Sequence, residues 1–360
     1  MNFSGVIQAR QSVIQAVVDS LDAADGNEDR LIELTRARLE NEPLVRSLSW
    51  RAVYSVMLDR LPDPQATRHF EKAGSYSAPA HICDVLRSAE FSSSCASFVL
   101  KALPEKEPIF FVHIPKTAGT SLKDAIRAQA ACLPWDSMYY QEYWLRAAYG
   151  DLAHYSFLSS HWRARNEPLW VMGHYPLRNV LDAGLFRSGH RGFTVLRHPV
   201  EIIISQLNYM ATCMRREPDR LDSSTWKQQI KSICPEFNEN NPVIDGPISD
   251  KIVRADFFQS EYGNIISNYL GDAERSLSSV ICNIGATGLD IVQTEELADY
   301  AQQSFGLTLP SEKSNVSEKF ISRADLSPEA MIYIHETLMA KDIVFYDWAR
   351  MTTNGKAARL

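Results

Sequence analysis

The stretch Ile109-Phe110-Phe111-Val112-His113-Ile114-Pro115-Lys116-Thr117-Ala118-Gly119-Thr120-Ser121 runs from an apolar segment into a lysine-led turn of small residues, then into a helix start. The pattern predicts a buried strand over Ile109 to Ile114. It also predicts a helix over Ser121 to Ala131, with Leu122, Ala125 and Ile126 on one face. A strand, a tight turn and a helix in that order leave backbone N–H groups at a helix N-terminus, where the positive end of the dipole favours an anion. Lys116 adds a full charge beside that cradle. Thr117, Thr120 and Ser121 also suit a helix cap, so turn chemistry alone leaves an ordinary βα turn open. A Walker A loop is a different object, because its lysine follows the second glycine, whereas Lys116 precedes Gly119.

Working outward, a second segment lies 81 residues beyond Lys116: Gly192-Phe193-Thr194-Val195-Leu196-Arg197-His198-Pro199-Val200-Glu201-Ile202-Ile203-Ile204-Ser205. Phe193 to Leu196 reads as a buried strand. Pro199 suits the first position of the helix that follows, to about Met214. Arg197 therefore sits at the carboxyl end of a strand, where open α/β sheets bind ligands, and its planar fork matches a phosphate. Ser205 falls in the second helical turn and has a hydroxyl to donate. Taken singly, Arg197 is equally compatible with a surface ion pair, and Ser205 with a solvated helix position. A third segment, Trp170-Val171-Met172-Gly173-His174-Tyr175-Pro176, puts His174 directly after a short apolar strand. Imidazole titrates near neutrality, as a general base must, although a lone histidine also caps or packs strand ends.

Short apolar strands alternating with helices predict an α/β class, with a parallel sheet covered on both faces. Further helices are expected over Asp256 to Leu270, Thr294 to Phe305, and Ser327 to Ala340 with Ser327 as cap and Pro328 in the first position. Before residue 108 only helical periodicity is visible, beginning with Val6, Ile7, Val13, Ile14, Val17, Val18 and Leu21 and ending at Gly26. Ser92-Ser93-Ser94 and Pro104-Glu105-Lys106-Glu107-Pro108 punctuate the chain there. The expected organisation is a helical region over 1–100, a catalytic domain over 107–350 and a polar tail over 351–360.

The 360 residues, 45% hydrophobic, are enough for a full core. A net charge of −7 gives no general attraction to nucleic acid or to anionic membranes. Arg163, Arg165, Arg187 and Arg191 are candidates for a local basic patch. No run approaches the roughly 18 apolar residues of a membrane span, and Arg10, Gln11, Asp19 and Asp22 interrupt the N-terminal pattern, so neither signal peptide nor anchor is expected. Cys83, Cys95, Cys132, Cys213, Cys234 and Cys282 lack the short paired spacings of a zinc site or disulfide framework.

The string from His113 to Ser121 closely resembles the 5′-phosphosulfate loop of the sulfotransferases that use 3′-phosphoadenosine 5′-phosphosulfate (PAPS), particularly the branch containing heparan sulfate 2-O-sulfotransferase. Arg197-His198-Pro199 with Ser205 resembles that family's 3′-phosphate motif. The segment around Gly173-His174 resembles an element whose histidine is the catalytic base in that branch. Relatives often carry another histidine two positions earlier, where this chain has Met172. Lys313-Ser314-Asn315-Val316-Ser317 resembles an Asn-x-Ser segment lying near the nucleotide, which implies that Lys313 and Ser317 approach the 3′-phosphate. Trp50-Arg51-Ala52-Val53-Tyr54, Leu58-Asp59-Arg60-Leu61-Pro62-Asp63-Pro64 and Leu86-Arg87-Ser88-Ala89-Glu90-Phe91, within residues 28–95, resemble a small helical module of unknown function common in bacterial surface-associated and carbohydrate-modifying proteins.

The resemblance implies a P-loop-like three-layer domain and a metal-independent enzyme, and, since the resembling animal enzymes are membrane-anchored in the Golgi, the expected lack of an anchor points to a bacterial cytoplasmic enzyme. It would move a sulfonate from PAPS to a hydroxyl of a carbohydrate or glycolipid. Pro115, Lys116, Thr117, Ala118, Gly119, Thr120 and Ser121 would hold the phosphosulfate, and Arg197 and Ser205 the 3′-phosphate. Lys116 would also face the leaving oxygen, and His174 would be the base. Glu142 is the rival base, while His113 and His198 are candidates for supporting roles. A non-carbohydrate small molecule or peptide stays open as acceptor. So do two other classes, a P-loop-like nucleotide kinase or NTPase and an inactive nucleotide-binding protein.

Overall fold

The computed structural model describes residues 3–72, 76–102, 108–129, 135–136, 153–163, 170–182, 186, 190–310, 318–353 and 358–359. Glu142, Lys313 and Ser317 lie outside the described residues, as do Arg165, Arg187 and the side chain of Arg163. The architecture is α/β, mostly helical with a parallel sheet. Its chain contacts group into two compact units that interleave in sequence. The first takes residues 1–109, 131–173 and 182–186, and the second takes 110–130, 174–181 and 187–360.

In the first unit the helix Phe3–Leu21 packs on the helices Glu28–Leu39 and Ala153–Arg163. Ala9, Val13, Ile14 and Val17 are fully buried along its inner face, as the 3.6-residue spacing requires. Arg10 is buried among them and is satisfied by the carbonyls of Val56 and Ser55 and the carboxylate of Asp59. The helical pattern ends where Gly26 takes φ +74°, and Asn27 then caps the next helix by accepting from Arg30 N–H. Ser49 and Ser77 cap Trp50–Leu58 and Ala78–Leu86 in the same way. Two strands of this unit, β2 (Trp135–Asp136) and β3 (Trp170–Gly173), pair in parallel.

In the second unit β1 (Ile109–Val112, starting at the last residue of the first unit's opening segment), β4 (Arg191–Leu196), β5 (Asp290–Gln293) and β6 (Ala358–Arg359) are neighbours in that order. β4 and β5 run parallel, with Leu196 opposite Gln293 at their carboxyl ends. Every residue of β1 is buried, the near-continuous apolar run of a strand covered on both faces. Thr194 is the polar exception in β4, and its hydroxyl donates to Val112 C=O at 2.8 Å, which leaves no buried group unpaired there. No helix among the described residues is long and apolar enough to cross a membrane.

Several elements differ from their sequence-based expectation, among them the segment expected as one helix over Ser327 to Ala340, which is the helix Pro328–Tyr333 continued by a π-helical turn over Ile334–Leu338. The helix after β1 spans Gly119–Gln129, starting two residues early, while Thr117 turns its hydroxyl back onto Ile114 C=O. The expected helix Asp256 to Leu270 is two helices, Asp256–Tyr262 and Ile265–Leu270. Asn264 sits between them at φ +46° and accepts from Lys341 and Asp342 N–H, and the buried Asp342 carboxylate takes the N–H groups of Ile266 and Ser267. Remote capping thus overrides a periodicity that looks continuous. In the segment expected as a polar tail, the helix Ala340–Thr353 reaches Thr353 and Ala358–Arg359 pairs antiparallel with β5. Ser327 and Pro328 cap and open their helix as the sequence predicts.

Candidate functional site

All of the contacts that follow lie within the second unit. The turn after β1 is sterically unusual, because Lys116 and Ala118 both adopt left-handed backbone conformations, at φ +69° and +67°. Each costs about 1–3 kcal/mol for a residue with a Cβ, a strain that persists only where the surroundings impose it and that clusters at functional positions. Thr117, between them, is fully buried. Beyond the turn, the N–H groups of Gly119, Thr120 and Ser121 open the helix and have no partner within it, as at any helix N-terminus. Thr120 and Ser121 are half-buried, so their hydroxyls remain within reach of solvent.

Arg197 joins this turn from the carboxyl end of β4. Its guanidinium donates to Lys116 C=O at 3.2 Å and lies 3.8 Å from the Glu201 carboxylate one helical turn on. Two motifs 81 residues apart are thereby brought into contact. His198 does not join them. Its imidazole accepts from Val200 N–H and serves as the N-cap of the helix Pro199–Arg216.

On that helix burial follows a strict pattern in which Glu201, Ser205, Tyr209 and Thr212 are half-exposed while the residues between them are buried. A four-residue spacing with one three-residue step is one stripe of an α-helix. One end of the stripe meets Arg197 through Glu201. Further along, the Lys116 ammonium sits 3.9 Å from the centroid of the Tyr209 ring. Ser205 lies between those two contacts. The sequence reading missed Tyr209 and Glu201, although counting helical turns from Ser205 would have found both.

His174 lies close to the same turn. Its Nδ1 is 3.0 Å from His113 C=O, and its ring stacks on the His113 ring at 4.0 Å between centroids. A carbonyl only accepts, so Nδ1 carries the hydrogen and Nε2 keeps its lone pair, the tautomer a general base needs. The edge-on ring of Tyr269 lies 6.5 Å away. The His113 ring is buried and lies so close to Gly119 that a Cβ on Gly119 would overlap it. Histidine stacking and loop backbone are therefore one packed unit. Gly119→Ala is expected to cost about 1–3 kcal/mol by overpacking, read by equilibrium urea unfolding. Combining it with His113→Ala should recover part of that loss.

Burial sets the electrostatics. It pushes the Lys116 ammonium down to about 8, with Cys213 opposing the shift and nearby Arg197 adding to it. Burial also lowers Arg197, partly offset by Glu201 and Glu295. His113 is held well below the usual histidine range by burial and then by His174, Lys123 and Lys116, so it is neutral in the working range. The site as a whole concentrates positive charge and N–H donors at the carboxyl ends of β1 and β4, beside the His174 imidazole. That set can bind an anionic group and accept a proton. Among the described residues no group of three or more His, Cys, Asp or Glu is placed to hold a metal. Arg191, from the possible basic patch, donates to Ser304 C=O and packs over Phe305. No family model, curated protein or solved structure matches the chain, and the site is read from its own residues.

Proposed function

We propose that this chain is a PAPS-dependent sulfotransferase, with a P-loop-like domain following a helical N-terminal region, acting on a hydroxyl of a carbohydrate or glycolipid. The observation that supports the reading is the hydrogen bond from Arg197 to Lys116 C=O, which joins the end of β4 to the turn after β1. The residues present suit the group: a lysine, an arginine and a helix N-terminus answer phosphate and sulfonate oxygens. When bound, PAPS supplies the activated sulfonate. Lys116, with the backbone of Thr117 to Ser121, would hold its 5′-phosphosulfate end, and Arg197 with Ser205 its 3′-phosphate. Lys116 stabilises negative charge that develops on the leaving oxygen. His174 Nε2 accepts the proton of the attacking hydroxyl, and the bond from Nδ1 to His113 C=O fixes the ring while it does so. A cytoplasmic location goes with this reading. Within it Lys313 and Ser317 remain candidates for the 3′-phosphate and Glu142 for the base.

Transfer of radiolabelled sulfonate from PAPS to glycans or glycolipids tests the reading. A labelled phenol or peptide alone would overturn the acceptor class. Turnover of ATP with no response to PAPS would favour the kinase or NTPase reading instead.

The titration of Lys116 gives a pH dependence with a definite sign. Below about 8 its ammonium is charged in the free protein and above it neutral, so affinity for adenosine 3′,5′-bisphosphate should fall as pH rises from 7 to 9.5, by up to about tenfold per unit. Calorimetric titrations at several pH values check this. Stability moves the other way, because the unfolded chain retains that proton up to the ordinary lysine value of 10.5 while the folded chain has lost it. Ligand-free stability should therefore gain from Lys116 as pH rises through that window.

A further inference from the structure

We propose that Tyr209 is a positioning residue, whose ring face holds the Lys116 ammonium over the anion-binding turn. Two contacts hold that ring. It meets the Trp226 ring at 6.0 Å between centroids, the two planes close to perpendicular. The ring face receives the Lys116 Nζ at 3.9 Å, well inside the range of a cation–π interaction. Tyr209 also stands on the stripe that carries Ser205 and Glu201, so the surface steering Lys116 is continuous with the one beside Arg197.

The chemistry explains the need. A lysine has a long flexible stem, and a buried ammonium tends to lose its proton. The groups facing Lys116 are Arg197 from the end of β4, Cys213 from the same helix as Tyr209, and neutral His113 from its own strand end. Arg197 opposes the ammonium, while Cys213 favours it. The negative face of the Tyr209 ring holds the position of Nζ and adds to what favours its charged form.

This inference rests on the anion-site reading, and its test separates the two. Trace acetylation of the full chain with acetic anhydride, followed by mass spectrometry of the Lys116 peptide, gives the pH at which Lys116 is half-reactive without any nucleotide. Replacing Tyr209 with pentafluorophenylalanine keeps the shape of the ring and removes its negative face, and Tyr209→Phe keeps the face and removes the hydroxyl. The expected result is a half-reaction pH lowered by about 0.4 to 1.5 units in the fluorinated variant and held within about 0.3 in Tyr209→Phe, the span of ordinary cation–π interactions. Adenosine 3′,5′-bisphosphate should bind the fluorinated variant about two- to thirtyfold more weakly at pH 7.5. An unmoved midpoint in the fluorinated variant overturns the role of Tyr209, and so does an equal fall in both variants, which would assign the effect to the hydroxyl. Failure of the unaltered protein to bind the bisphosphate would instead sink the nucleotide reading, leaving the lysine titration to decide on Tyr209.

Discussion

His174→Ala is expected to slow sulfonate transfer by about 10²–10⁴-fold, the usual contribution of a positioned general base, while adenosine 3′,5′-bisphosphate binding changes by less than about threefold. The split follows from geometry. His174 is held by His113 through a Nδ1 hydrogen bond and a stacked ring, and neither contact uses Lys116 or Arg197. Single-turnover rates and calorimetry on the same variant check both halves. His174→Gln should be as slow as the alanine variant, since a carboxamide is not basic enough to take the proton. A normal rate in both variants would turn attention to Glu142. Weakened bisphosphate binding in both would mean that the histidine supports the loop rather than the chemistry.

Arg197→Ala is expected to produce the second large effect, a loss of bisphosphate affinity of about 2–5 kcal/mol, or roughly 30-fold and more. Two things disappear together: a guanidinium able to engage a phosphate bidentately, and the hydrogen bond to Lys116 C=O that steadies a strained turn. Arg197→Lys separates them. It keeps the charge but lacks the fork, so it should recover only part of the affinity. Calorimetry at low and moderate salt checks the series. The Glu201 carboxylate, 3.8 Å from Arg197, contributes little by itself at this exposed position.

Much of this arrangement is legible from sequence because it is written in local signals. The buried run of β1, the turn at Lys116, the proline that opens the helix at Pro199 and the Ser327-Pro328 cap all depend on a few adjacent residues. Arg197 and His174 at strand ends were equally accessible, since a strand followed by a turn fixes where the next side chain emerges. What stays hidden is set by distant groups. Nothing near Asn264 announces the break between Asp256–Tyr262 and Ile265–Leu270, because the decisive carboxylate belongs to Asp342. The same holds for the clash that reserves Gly119, which depends on where His113 packs. The hydroxyl of Thr117, a cap candidate in the sequence, satisfies Ile114 C=O instead. Short β6, two residues in a polar segment, carries no pattern at all.

The most direct measurement is a calorimetric titration of the full chain at pH 7 with adenosine 3′,5′-bisphosphate, run in parallel on Lys116→Ala and Arg197→Ala. Saturable binding with one site per chain, weakened in each variant, is the expected result. Absence of heat in the unaltered protein, or an affinity that neither substitution changes, would contradict a shared nucleotide site built on these two residues.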